Sequence, residues 1–281
     1  MPYVEVDDGR LYYEQSGEGP PLVLIHGVGS SHGWWRWQIP TLSEHYRVLA
    51  IDVRGHGRSS GLTQVYSVEG FARDLEDFLQ QLGIGRTALV GWSMGGLIAI
   101  QYCLEHPSKV GALVLVTSRG HRNPALKWRI LRQYFQSIID LLMTFAAPRK
   151  YHREGEQNNT RHRCRLEREA RKMLSPKASK EVSEWVVSEV SRTARNNYFD
   201  VARSFWNWHA EGALGDIKVP TLIIAGQNDR IIPPRFSKML HEEIPGSRLL
   251  IVEEATHYVA QERSELVNGE ILSFLGRIGY R

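Results

Sequence analysis

Two kinds of hydrophobic pattern take turns along the chain. Tyr3 to Val6 and residues 10–15 alternate apolar and polar positions on either side of Asp8-Gly9, which predicts a β-hairpin. Six short unbroken apolar runs follow, at 22–25, 47–51, 87–90, 112–116, 221–225 and 248–252. Without polar alternation they must bury both faces, as parallel strands covered by helices on each side do. Within 68–82, Phe71, Leu75, Phe78, Leu79 and Leu82 recur at three- and four-residue intervals, and 265–275 behaves likewise. That spacing predicts helices with one buried face. Strand and helix patterns in alternation predict a doubly wound α/β sheet, mostly parallel and eight-stranded, with helices on both faces.

The alternation stops over residues 119–215, which are helical, basic and rich in aromatics. A segment of that length between two sheet strands has to lie outside the sheet, over its carboxyl edge, where such folds bind ligands. The chain therefore divides into a core, 1–118 and 216–281, and an inserted helical cap, 119–215.

Charge follows the same division. The net charge is +4, yet residues 119–180 hold 16 Lys/Arg against 5 Asp/Glu, leaving 19 basic and 26 acidic residues elsewhere. The run Arg161, Arg163, Arg165, Arg168, Arg171 and Lys172 reads either as a solvated helix face paired with Glu167 and Glu169, or as an attraction for anionic substrates or an acidic membrane surface. No nucleic-acid-binding module accompanies it, so nucleic acid is not an expected partner. A length of 281 residues with 42% hydrophobic residues suits a large globular core and excludes a disordered or disulfide-stapled chain. Cys103 and Cys164 are too few to staple it, no secretory leader pattern opens the sequence, and no run reaches the ~18 apolar residues of a membrane span. The expected location is the cytoplasm. Neither His/Cys spacing nor a glycine-rich dinucleotide fingerprint calls for a metal or a cofactor.

The strongest chemical signal is Gly91-Trp92-Ser93-Met94-Gly95-Gly96, between the strand at 87–90 and a helical run at 97–104. Gly-x-Ser-x-Gly at a strand–turn–helix junction is a nucleophile elbow, whose flanking glycines permit a sharp turn that lifts the serine hydroxyl above the sheet. A serine needs a base to take its proton and a third group to orient that base. Asp229 follows the strand at 221–225, and His257 follows the strand at 248–252. Ser93, Asp229 and His257 thus occur in the chain order of this fold. Glu253 and Glu254 are alternative acids that the spacing places toward solvent. The tetrahedral intermediate also needs two backbone donors: Met94 N–H, next to the nucleophile, and Val28 N–H, in the loop His26-Gly27-Val28-Gly29. His26 is read as a brace for that loop rather than as a base.

These motifs, together with residues 52–59 (Asp-Val-Arg-Gly-His-Gly-Arg-Ser) and 257–262 (His-Tyr-Val-Ala-Gln-Glu), resemble the α/β-hydrolase fold superfamily, in its capped serine esterase, lactonase and C–C hydrolase branch. The resemblance covers about 3–118 and 216–278, and implies that Asp52 and Arg54 order the loop near the oxyanion hole. Serine at 93 separates the chain from the related dehalogenases and epoxide hydrolases, which use aspartate.

The tryptophans fall near the elbow or in the insertion: Trp34, Trp35, Trp37, Trp92, Trp128, Trp185, Trp206 and Trp208. Some fill the interface between cap and core; Trp34, Trp35, Trp206 and Trp208 are candidates for the substrate pocket. The expected activity is a cofactor-independent carboxylesterase acting on small to medium acyl esters or lactones. The alternatives are C–C bond hydrolysis of meta-cleavage-type diketones, with Arg119 or a cap arginine holding a substrate carboxylate, perhydrolysis or acyl transfer, and a ligand receptor that retains the triad. The expected partner is a small-molecule substrate, and the chain a monomer or homodimer.

Overall fold

The computed structural model describes residues 2–61, 65–123, 173–193, 198–205 and 208–281. The basic run at 161–172, Cys164, Trp128 and Trp206 lie outside them.

Nine strands form one sheet: β1 (Tyr3–Val6), β2 (Gly9–Ser16), β3 (Pro21–Ile25), β4 (Arg47–Ile51), the two-residue β5 (Ser60–Gly61), β6 (Thr87–Trp92), β7 (Val110–Val116), β8 (Thr221–Gly226) and β9 (Arg248–Val252). Eight of them run in the order β1-β2-β4-β3-β6-β7-β8-β9, with β5 paired to β2 off this path. The hairpin β1–β2 and its junction to β4 are antiparallel; every pairing from β4 to β9 is parallel. Every residue of β6, β7 and β8 is buried, which explains why their sequences show no polar alternation.

Helices cover both faces. On one, α1 (Val68–Gln81) and α2 (Met94–Glu105) pack with Val23, Ile25, Leu89 and Leu113. Ser67 caps α1 by accepting the Gly70 N–H at 2.9 Å. Between β7 and β8 the described residues contain α3 (Lys180–Thr193) and α4 (Tyr198–Ser204) and no strand. Then come α5 (Pro234–Glu243) and α6 (Ser264–Arg277), the latter burying Val267, Ile271, Phe274 and Leu275 with Leu22, Leu24 and Leu222 on the opposite face. Val186 of α3 belongs to this second cluster and Val201 of α4 to the first, so the segment between β7 and β8 is anchored on both sides of the sheet.

The strand order reverses at β3, which lies between β4 and β6. Crevices at such reversals are where doubly wound sheets bind ligands. Register brings the relevant strand ends together: Ile25 pairs with Gly91, Trp92 with Val116, and Gly226 with Val252.

Arg119, just beyond β7, ties together the two ends of the segment between β7 and β8. Its Nη1 donates to the carbonyls of His121 and Trp208 and its Nη2 to that of Phe205 at 2.6 Å, while Ala210 N–H donates to Gly120 O at 2.7 Å. Burial pulls the guanidinium down to about 10, which leaves it charged at neutral pH. Replacing Arg119 with Met strips three buried carbonyls of their donor. The expected loss is about 2–4 kcal/mol of unfolding free energy in urea, given about 1–3 kcal/mol per orphaned group and partial relaxation. A change under about 0.5 kcal/mol, the level of an ordinary surface substitution, would contradict the clamp.

Candidate active site

Ser93 sits between β6 and α2 with φ 54° and ψ −115°, a conformation that L-residues rarely adopt. Its surroundings leave room for nothing bulkier at the flanking positions. A Cβ on Gly91 would fall 2.4 Å from Gly95 O, and one on Gly95 would fall 2.1 Å from Ile25 O. The glycines of the motif therefore let the first turn of α2 lie directly on β6 and on the end of β3. Ser93 N–H donates to Val116 O at 3.0 Å, and Ser93 O accepts from Ser118 Oγ at 2.9 Å and Gly96 N–H at 3.1 Å. The strained turn is thus pinned on both sides.

Asp229 and His257 meet across the loops that follow β8 and β9. His257 Nδ1 lies 2.8 Å from Asp229 Oδ2, with both residues 4% exposed. The other carboxylate oxygen accepts the N–H groups of Ile231 at 2.7 Å and Ile232 at 2.9 Å, so the acid that faces the imidazole also shapes its own loop. Because the carboxylate accepts only, Nδ1 carries the proton and Nε2 is left as the basic nitrogen. The histidine loop is tied to the elbow at His257 O, which accepts from Trp92 Nε1 at 3.0 Å and Thr117 Oγ1 at 3.2 Å. Glu253 and Glu254 are exposed, and Glu254 pairs with Lys177 at 2.5 Å, so neither faces the imidazole.

The loop after β3 reaches the same place. A Cβ on Gly27 would fall 2.6 Å from the Trp92 ring and 3.0 Å from Ser93 Cβ, so the chain carrying Val28 passes beside the serine. Met94 opens α2 with Ser93 as its N-cap, where amide protons have no partner within the helix. His26 is fully buried: Nε2 accepts Val53 N–H at 3.0 Å, which leaves Nδ1 to donate to Gly27 O at 2.7 Å. Burial first, and the neighbouring His56, pull its pKa down to about 3, so it braces the loop as a neutral ring. Asp52 Oδ2 accepts Arg58 N–H at 2.7 Å, and Arg54 pairs with Asp8 and with Asp74. These contacts fold 52–59 behind the loop.

Among the described tryptophans considered for the pocket, Trp208 lies apart from Trp34 and Trp35. Trp34 and Trp35 are 1% and 0% exposed in one hydrophobic cluster, with Trp34 stacked on Trp92 at 4.0 Å, whereas Trp208 belongs to the other cluster and donates to Gln101 Oε1 at 2.9 Å. Trp206 lies outside the described residues. Arg119 is corrected likewise: its Nη donors face main-chain carbonyls, not a substrate carboxylate. Cys103 is buried and free, its thiol pushed up to about 12 by burial.

Several residues around the site escaped the sequence reading. Thr117 holds φ 43° and bonds both Ile224 O and His257 O. Glu262 accepts Thr256 N–H at 2.7 Å, Thr256 Oγ1–H at 2.9 Å and Ser175 N–H at 2.6 Å, and so joins the histidine loop to the segment between β7 and β8. Trp185 of α3 lies 5.2 Å from Trp34, which continues the aromatic contact from Trp92 outward.

A profile of the alpha/beta hydrolase fold matches residues 20–263, and the chain belongs to that family of hydrolases. It is 29% identical over 285 residues to a pimeloyl-[acyl-carrier protein] methyl ester esterase of Vibrio atlanticus, covering 94% of this chain and 97% of that one. It is 27% identical over 286 residues to a 2-hydroxy-6-oxo-6-(2'-aminophenyl)hexa-2,4-dienoic acid hydrolase of Metapseudomonas resinovorans, covering 98% and 90%. Among solved structures, a thermophilic esterase of Thermogutta terrifontis superposes with a TM-score of 0.79 at 23% identity, covering 99% of both chains.

The space at Gly27 yields a direct check. Gly27→Ala forces the loop away from Ser93, so kcat/KM on an activated ester is expected to fall about 10–100-fold, with about 1–3 kcal/mol of lost stability. Unchanged turnover would show that this loop does not border the reacting atoms.

Proposed function

We propose that the chain is a cofactor-independent serine hydrolase, a carboxylesterase for small to medium acyl esters or lactones. The observations that support this reading are the strained Ser93 and a buried His257–Asp229 pair 2.8 Å apart, whose histidine loop is tied to Trp92, the residue before Ser93. In this scheme His257 Nε2 takes the Ser93 proton as Oγ attacks the carbonyl carbon. Asp229 holds the Nδ1–H tautomer and stabilises the imidazolium, without itself taking the proton. Val28 and Met94 N–H groups receive the oxyanion, each such donor being worth about 2.7–4 kcal/mol in the transition state. The imidazolium returns its proton to the leaving alcohol, and the same histidine then activates water to release the acyl group.

In this proposal residues 119–215 form the cap, and Glu262, Trp185 and Arg119 hold its base against the core. An ester substrate is favoured over the diketone acid of the Metapseudomonas relative because Arg119, one of the arginines considered for holding a substrate carboxylate, is engaged with main-chain carbonyls. The Vibrio relative is named an esterase, which agrees with that preference.

The test is steady-state hydrolysis of p-nitrophenyl esters of increasing acyl length, a lactone and a ring-fission diketone. The wild type should turn over the short esters or the lactone, and Ser93→Ala should lose at least about 10⁴-fold of kcat while remaining folded. Turnover of the diketone alone would overturn the ester assignment, and a Ser93→Ala variant with a few per cent of wild-type rate would overturn the nucleophile.

A further inference from the structure

The loop that borders Ser93 is bracketed by two histidines held in opposite ways. His26 opens it as a neutral ring, with one nitrogen accepting and the other donating. His32 closes it, at the start of the short helical turn His32–Trp35, and both of its ring nitrogens face carboxylates. Nδ1 lies 2.8 Å from Asp52 Oδ1 and Nε2 lies 3.1 Å from Glu14 Oε1. Carboxylate oxygens only accept, and a neutral imidazole has a single N–H. The Asp52 contact is a hydrogen bond, and Glu14 sets a second carboxylate charge beside the other nitrogen, an arrangement that favours the imidazolium.

We propose that His32 is a positioning residue: a doubly anchored imidazolium that ties the far end of the 26–31 loop to Asp52 and Glu14 and so holds the Val28 N–H in place. This rests on the reading of Val28 as an oxyanion donor given above.

The surroundings support the charge. Asp52 is fully buried, and its Oδ1 also accepts the His32 N–H at 2.5 Å, so one carboxylate holds both the backbone and the ring of this residue. The charged and titratable groups around the ring are Tyr12 and Glu14 from β2, His26 from the end of β3, Asp52 from the end of β4, and Arg58 from the loop beyond it. Arg58 stacks on Tyr12 with its guanidinium 4.6 Å from the ring centroid, bonds the Tyr12 hydroxyl and lies 4.0 Å from Glu14 Oε1, while His32 pairs with Asp52 at 2.8 Å. Burial pulls the His32 pKa down, but the Asp52 hydrogen bond and charge, with that of Glu14, outweigh it and leave the value above that of a free imidazole, Arg58 opposing.

The sign follows. A raised folded pKa means that the tie is complete below the ordinary imidazole value of about 6.5 and is lost as pH rises through the folded value. Loss of the His32 tie would therefore add a falling alkaline limb to kcat.

The experiment joins two readouts on the full chain. One is kcat and KM for p-nitrophenyl acetate from about pH 6 to 10, and the other is a ¹⁵N NMR titration of the imidazoles, with His32 assigned by its loss in His32→Gln. The wild type should show an alkaline fall in kcat whose midpoint equals the His32 titration, with KM nearly constant. Glu14→Gln, at an exposed position, should lower both midpoints together. His32→Gln should lack the limb and have kcat reduced about tenfold at neutral pH, a loss of about 1.4 kcal/mol in transition-state stabilisation. A His32 midpoint at or below the ordinary value, or an alkaline limb that persists in His32→Gln, would overturn the proposal. If instead Ser93→Ala kept its activity, the catalytic reading would fail while the raised His32 titration remained, so the two failures are distinguishable.

Discussion

The carboxyl edge of the sheet depends on one strained turn. Ser93 holds a positive φ that costs about 1–3 kcal/mol for a non-glycine residue, and it persists because the packing around it admits no other path. Gly91 and Gly95 let strand, turn and helix touch without intervening side chains, while Val116 O and Ser118 Oγ fix the backbone from the next strand. Among the described residues, the other non-glycine positions with positive φ are Thr117 and Glu254, just past the ends of β7 and β9. Strain is therefore concentrated along one edge, where well-packed parallel strands can bear it.

From that turn the other parts follow by contact rather than by proximity in sequence. Trp92 is held between the loop after β3 and the histidine loop, since its ring blocks a side chain at Gly27 and its N–H bonds His257 O. Asp229 serves two ends of the same task, with one oxygen shaping its loop and the other facing the imidazole. Two imidazoles near this edge differ in burial and in partner. His26 bonds one donor and one acceptor and stays neutral, while His32 faces two carboxylates. Chemistry that needs a base at one position and a fixed loop at another is served by giving each ring different neighbours.

Much of this was legible in the residues themselves. Parallel strands buried on both faces leave unbroken apolar runs, so β3, β4 and β6 to β8 were visible directly, and the turn chemistry of Gly-x-Ser-x-Gly pointed to Ser93; β9 shows the same apolar run yet is the edge strand and stays partly exposed, so its run does not mean two buried faces. Asp229 and His257 could be read as partners from their places after β8 and β9, and the fold sets them 2.8 Å apart. Other roles were not legible because they depend on partners far away in the chain. Arg119 reads as a charge, but its function comes from carbonyls 86 and 89 residues distant. Thr117 and Glu262 look like ordinary polar residues after a strand and within a helix, and only the fold directs them to His257 O and Thr256. The tryptophans announced a large aromatic interface without revealing that Trp34 and Trp208 lie in different clusters.

The central claim is that Ser93 is an activated nucleophile, and covalent capture tests it most directly. The intact protein would be treated with a p-nitrophenyl alkylphosphonate and weighed by mass spectrometry, followed by peptide mapping, alongside a folded His257→Ala variant. The account predicts one phosphonyl adduct per chain on the peptide containing Ser93 and almost none in the variant. No adduct on a folded wild-type chain, an adduct on another residue, or equal labelling without His257 would contradict it.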